Sequence, residues 1–137
     1  MFNPQLLTVI SGFFGFVPAI YTFNINVYIS FTIFFVTIAT IMQHLTENLN
    51  NYDAYLNILN IDEIFFVYID RLLSVLLTIV LIKTRYKSMI SNKNKICMSL
   101  VFLIVCDLNL ISNPYIYSLL HSIWHLSIFT NIVIIHI

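Results

Sequence analysis

Two histidines near the C-terminus stand four residues apart, in the motif His-Ser-Ile-Trp-His at residues 121–125. In a helix this spacing puts the imidazoles of His121 and His125 on one face, where both can ligate the same metal ion. The motif alone is weak, because soluble helices show it by chance. Inside a membrane, two histidines can instead hydrogen-bond across helices as packing contacts. This motif alone leaves metal binding and packing both open.

A third histidine and two other polar residues strengthen the metal interpretation. His44 follows Thr40 by one helical turn, so the two side chains share a face. Three histidines with an open fourth position form a catalytic zinc arrangement, in which the bound water is acidified toward neutrality. Asp70 could accept that proton or orient the water, and Thr40 could orient the water or donate to an oxyanion. Alternatively, Thr40 could bond back to its own helix. Asp70 could also pair with Arg71, although adjacent helical residues point in different directions.

The composition requires a membrane around these residues. Of 137 residues, 60% are apolar and only 9% are charged, and the mean hydropathy is +0.93. A chain this short has too much surface to bury so many large apolar side chains in an aqueous core. The net charge is zero and no basic face is visible, which argues against nucleic acid as a partner. The two cysteines, Cys97 and Cys106, lie too far apart along one helix to bond to each other.

The hydropathy pattern predicts an all-α fold, a polytopic transmembrane bundle of about five helices in a single domain spanning residues 1–137. Pro114 divides the last long apolar stretch, because proline is favoured where a helix begins. The segment before residue 5 has no Lys or Arg, so we expect the first helix to remain rather than be cleaved as a signal peptide. The predicted helices are 5–22, 26–45, 64–83, 96–112 and 115–137.

Two loops between the predicted helices differ in charge. Residues 46–63 carry four acids and no Lys or Arg, whereas residues 83–95 carry five Lys or Arg and no acid. Short basic loops stay in the cytoplasm. We therefore expect an integral membrane protein whose N-terminus is extracellular or lumenal and whose C-terminus is cytoplasmic.

This orientation places most intramembrane ionisable groups at a similar depth, near the outer side. Such groups are costly in hydrocarbon and indicate function. Asp107, beside Asn109, could support the site or face the headgroups, and His136 lies too far along the last helix to join it. The outer group comprises His44, Asp70, Asp107, His121 and His125.

Three patches, in this order, resemble the CREST superfamily of membrane hydrolases. They are Thr-x-x-x-His at 40–44, Ile-Asp-Arg-Leu-Leu-Ser at 69–74 and His-Ser-Ile-Trp-His at 121–125. The superfamily includes alkaline ceramidases, progestin and adipoQ receptors, Per1-like lipid-remodelling proteins and the myomaker branch, to which the last two patches are most similar. The resemblance implies that the three histidines bind zinc and that Thr40 and Asp70 lie beside the metal.

The chain also departs from the family pattern. The family has seven helices where we count five, and the loss falls between the third predicted helix and the last. Losing two helices preserves the orientation of the last one. Thr40 replaces the usual serine. Asp62 is a rival for the family aspartate, and we prefer Asp70 because of its depth.

The leading interpretation is an intramembrane zinc site that acts on lipid amides or esters, with membrane lipids as partners. The sequence leaves open whether the site is catalytic. One alternative is a non-enzymatic membrane-remodelling or fusion protein of the myomaker type with a structural metal site. Another is a haem-binding membrane subunit. A second copy of the chain or an unidentified membrane partner could complete so small a bundle, but no motif names one.

Overall fold

The computed structural model describes residues 4–46, 63–109 and 113–136. Within these ranges nearly every residue is helical and no strand occurs, which confirms the predicted all-α class. Four stretches are long and apolar enough to cross a membrane. The protein is therefore a helical, multi-pass membrane protein. The four stretches are Gln5–Phe23, Val27–Thr46, Ile64–Ser91 and Tyr115–His136.

The first span is built from two helices joined end to end. Helix α1 (Pro4–Gly12) leads through a 3-10 turn (Phe13–Gly15) into α2 (Phe16–Phe23). Pro18 explains the tightened turn, because proline has no N–H for the carbonyl four residues earlier and its ring crowds that carbonyl. The two helices still form one continuous apolar span.

Asparagine side chains cap the two helices that carry the histidines. Helix α3 (Val27–Thr46) begins after Asn26, whose Oδ1 accepts a hydrogen bond from the Tyr28 N–H at 3.0 Å. Asn113 caps the last helix, Pro114–His136, in the same way. Each cap satisfies backbone donors that the first helical turn leaves unpaired. Both helix starts are thus set by local sequence.

Helix α4 (Glu63–Ser91) is longer than a membrane span needs. Its 29 residues would extend about 43 Å, against about 30 Å of hydrocarbon. The backbone leaves helical geometry at Arg85, with φ −133° and ψ 22°. The part before this kink is about as long as the hydrocarbon core is thick, so the helix changes direction where the basic residues begin.

The basic segment 83–95, expected to be a loop, is helical in the structure apart from the kink at Arg85 and the turn at Asn92, which separates α4 from α5 (Lys93–Asn109). The segment contains no glycine or proline, and Lys and Arg are good helix formers, so the chain stays helical on both sides of the kink. Helix α5 has 17 residues, which is slightly short of a full span.

The helices pack around α3 and the last helix, α6 (Pro114–His136). Helix α3 lies between the first span and α4, and α6 lies between the first span and α5. Helices α4 and α5 are neighbours in sequence but meet at few positions. The buried apolar core joins α2, α3, α4 and α6 through Ala19, Ile29, Ile33, Val36, Leu77, Leu81, Phe129 and Ile132.

Gly15 allows three helices to approach closely. A Cβ at this position would lie 2.3 Å from Thr37 Oγ1 and 2.8 Å from Phe129 Cζ. Both distances are below van der Waals contact, so only glycine fits without a shift of α3 or α6. Small residues at such crossings let helix backbones pack in lipid. This contact sets the spacing between the helices that carry the histidines.

Candidate metal centre

Three histidines converge between the C-terminal end of α3 and the first half of α6. The ring centroids of His44 and His121 are 4.7 Å apart, those of His44 and His125 are 5.1 Å apart, and those of His121 and His125 are 4.7 Å apart. One nitrogen of each ring lies within 4.8 Å of the others. His44 and His125 are 1% exposed, and His121 is 7% exposed. The structure brings all three predicted ligands together.

Two nitrogens of this cluster lack hydrogen-bond partners. Nδ1 of His121 and Nε2 of His125 are buried and bond to no other group in the part of the chain that the structure describes. Buried polar atoms are almost always partnered, and an unmet one costs about 1–3 kcal/mol. Hydrogen bonding across helices therefore does not account for these two atoms, whereas a metal ion would use both.

The donor set fits zinc. Zinc bonds imidazole nitrogen at about 2.0 Å, which places tetrahedral ligand nitrogens about 3.3 Å apart. The separation of up to 4.8 Å is somewhat wider, and small side-chain rotations would close it. Three neutral imidazoles leave one coordination position for another ligand. The three histidines could thus hold a metal ion with one open position.

Thr40 and Asp70 meet beside His44. The Thr40 hydroxyl donates a hydrogen bond to Asp70 Oδ1, joining α3 to α4. Thr40 is buried and Asp70 is half-buried. The carboxylate is thus positioned by a hydroxyl one turn from His44.

The polar face of α1 supplies contacts that the sequence analysis missed. Gln5 Nε2 donates to the backbone carbonyl of His44, and Ser11 Oγ lies 2.8 Å from His125 Nδ1. Thr8 lies between them on the same face and is fully buried. A signal was present: three polar residues recur at intervals of three in an apolar span, which in a helix places them on one side.

Aromatic rings enclose the cluster from α6. Tyr117 lies 5.1 Å from His121, and Phe129 lies 5.9 Å from His125, between ring centroids. The Trp124 ring lies 5.1 Å from both histidines of α6. Trp124 is the only tryptophan in the chain. Its fluorescence will therefore report on occupancy of the site.

Of the three other residues considered from sequence, the structure describes the side chain of His136 alone. Asp62 lies outside the described residues, and for Asp107 the structure describes the backbone in α5 but not the side chain. His136 Nδ1 donates to the Ile132 carbonyl at 2.7 Å, one turn before it in α6. It lies about 16 Å along the helix from His125, at 1.5 Å per residue, as its sequence position predicted.

No protein-family model, no curated protein and no solved structure matches the chain. The fold and the three-histidine cluster therefore carry the functional argument.

Proposed function

We propose that this protein is an intramembrane zinc protein of the CREST type that hydrolyses a lipid amide or ester. The observation that carries the proposal is the buried convergence of His44, His121 and His125. Support comes from the Thr40–Asp70 pair beside His44, because a carboxylate next to a metal ligand set is where hydrolytic sites keep their general base. The order of these residues along the chain also agrees with the family pattern.

The residues divide the chemistry between them. Zinc bound here would polarise a carbonyl and lower the pKa of a bound water. Asp70 would accept a proton from that water, since its carboxylate is held by Thr40, one helical turn from His44. Thr40 donates its hydroxyl proton to Asp70 and so fixes the direction of the carboxylate. This differs from the expectation that Thr40 itself orients the water.

The membrane setting indicates the substrate class. The cluster is formed by α3 and α6, both of which are membrane-spanning by length and composition. A substrate that reaches it must partition into the bilayer, and its acyl chain would enter sideways between helices. Lipid amides such as ceramide and lipid esters combine such a chain with a hydrolysable carbonyl.

A structural metal site is the second candidate, and the burial of the ligands favours it. His44 and His125 are each 1% exposed, and structural zinc sites are closed whereas catalytic ones keep an open position. In that case the metal would hold α3 against α6 in a membrane-remodelling protein. Loss of Asp70 would then leave function largely intact, while loss of the histidines would destroy the fold.

The haem alternative fits the geometry poorly. Two axial imidazoles must lie on opposite faces of a porphyrin, which needs a gap between them. These three rings contact one another in T-shaped, edge-to-face pairs, with centroids 4.7 to 5.1 Å apart. A compact single-ion site suits that arrangement better, and a Soret band in the purified protein would reverse this preference.

Lipid turnover by the zinc-loaded protein in bicelles tests the proposal. The probes are a ceramide and a phospholipid, each with a fluorescent acyl chain. We expect Asp70→Asn to lower turnover at least about 100-fold, as loss of a general base does, with zinc retained. Thr40→Val should also lower turnover. Thr37→Val is its control, because buried Thr37 donates to the Ile33 carbonyl of its own helix.

Two results would contradict the hydrolase proposal. One is turnover that persists unchanged in Asp70→Asn. The other is zinc-loaded protein that releases no fatty acid from either lipid and unfolds when the histidines are replaced, which would favour the structural site.

The proposed orientation has the N-terminus outside and the C-terminus in the cytoplasm. The support is the basic segment 83–95. Asn92→Cys, with Cys97 and Cys106 replaced by serine, places a single thiol at the turn between α4 and α5. An impermeant maleimide should label it only after cells are permeabilised. Labelling of intact cells would reverse the orientation.

A further inference from the structure

The contact between α1 and His125 determines which ring nitrogen carries a proton. Ser11 Oγ lies 2.8 Å from His125 Nδ1, and its hydroxyl donates to the Thr8 carbonyl, also at 2.8 Å. A serine hydroxyl has a single proton. Because that proton is directed to Thr8, the serine oxygen must accept at the imidazole. His125 Nδ1 is therefore the donor.

The proton on Nδ1 fixes the state of the other ring nitrogen. In a neutral imidazole the other nitrogen then carries the lone pair, and His125 Nε2 is the buried nitrogen without a partner among the described residues.

We infer that Ser11, whose hydroxyl proton is donated to the Thr8 carbonyl, is a positioning residue that holds His125 in the Nδ1–H form, so that Nε2 is presented to the metal ion. The inference rests on the zinc site proposed above and gives the first span a role in it. Metal-binding histidines commonly donate their second N–H to such a partner, which fixes the ring and strengthens the ligand.

The rest of the α1 face supports this role. Gln5 Nε2 donates to the backbone carbonyl of His44, so the same face of α1 also contacts α3, the helix that carries His44. Gln5 and Thr8 are fully buried, and Ser11 nearly so. Gln5 and Ser11 therefore contact the histidine residues of the cluster, while the Thr8 hydroxyl donates to the Gln5 carbonyl of its own helix. The first span therefore covers one side of the cluster and orients His125.

Nitrogen-15 NMR of the metal-free protein in detergent tests the tautomer directly. The chain has four histidines, so the ring signals can be assigned by comparison with His125→Ala. We expect the wild-type His125 signals to show the Nδ1–H form, and Ser11→Ala to shift them toward a mixture. Ser30→Ala is the matched control, because buried Ser30 also forms a hydrogen bond between helices, in which it donates to the Ala19 carbonyl at 2.6 Å.

Zinc affinity gives the second readout, measured by competition with a fluorescent chelator. We expect Ser11→Ala to weaken binding about 10-fold, in the range seen for loss of such a partner, with Ser30→Ala close to wild type. Thermal unfolding of the metal-free variants must stay similar, which separates positioning from packing.

The possible failures are distinguishable. If wild type and Ser11→Ala bind zinc with equal affinity, this inference alone is overturned. The same holds if His125 of the wild type is protonated on Nε2. Wild-type protein that binds no zinc would overturn the proposed site, and with it the role assigned to Ser11.

Discussion

The two ends of the bundle are built on different principles. We call the end that contains the histidines, together with Gln5, Ser11, Thr40 and Asp70, the histidine half. At the other end, which we call the apolar half, the core shared by α2, α3, α4 and α6 consists of aliphatic side chains and one aromatic ring. Its buried members are Ala19, Ile29, Ile33, Val36, Leu77, Leu81, Phe129 and Ile132.

The difference shows where stability comes from in each half. In lipid the hydrophobic effect does not drive helices together, so the apolar half depends on close packing, of which Gly15 is the clearest case. The histidine half instead buries polar atoms, two of them unpartnered on His121 and His125. Such atoms destabilise a fold unless something binds them. We therefore expect metal to stabilise this half and close packing to stabilise the other.

Of the predicted changes in the free energy of unfolding, the one caused by zinc binding should be the largest. At a free concentration 1,000 times the dissociation constant, zinc should raise the free energy of unfolding by about 4 kcal/mol. His44→Ala should abolish most of that gain, because the cluster loses a ligand. The check is thermal unfolding in detergent with and without zinc. Equal stabilisation of wild type and His44→Ala would mean that zinc binds elsewhere.

In the apolar half, we expect substitution of Gly15 to lower the free energy of unfolding the most. Gly15→Ala places a methyl group against Thr37 and Phe129, and such overpacking costs about 1–3 kcal/mol. Gly12→Ala is the control, since its Cβ would lie 3.2 Å from the flexible side chain of Ile41 and should cost less. Unfolding of the metal-free variants measures both. If the two substitutions cost the same, the close approach at Gly15 is not what spaces the helices.

A polar network between α5 and α6 should give the smallest effect. Asn131 Nδ2 donates to Ser99 Oγ at 2.7 Å, and Ser99 Oγ lies 2.6 Å from Ser127 Oγ. Hydrogen bonds between membrane helices are worth about 0.6 kcal/mol on average. Asn131→Leu should therefore lower stability by about this amount and leave zinc affinity unchanged. A change in zinc affinity would mean that the two halves are coupled.

Sequence reasoning succeeded where one residue pattern determines the outcome. Hydropathy was enough to indicate the membrane-spanning helices, and Pro114 marked where the last of them begins. The spacing of His121 and His125 placed both on one face, and their depth relative to His44 suggested the cluster.

The contacts that sequence could not supply depend on which helices are neighbours. Ser11 and Gln5 reach the histidines only because α1 packs against α6 and α3, and no local pattern encodes that pairing. The same holds for the Thr40–Asp70 bond between α3 and α4. The helical form of segment 83–95 was missed for another reason: charge indicates location relative to the membrane and not backbone conformation.

Metal content of the detergent-purified protein tests the central claim most directly. Mass spectrometry should find about one zinc per chain in wild type, and none in His121→Ala/His125→Ala. His136→Ala is the control, because this buried histidine lies on the same helix away from the cluster, and it should retain the metal. Quenching of Trp124 fluorescence by added Co²⁺ should follow the same order among the three proteins. A monodisperse, folded wild type without metal would contradict the account, and His121 and His125 would then be packing residues.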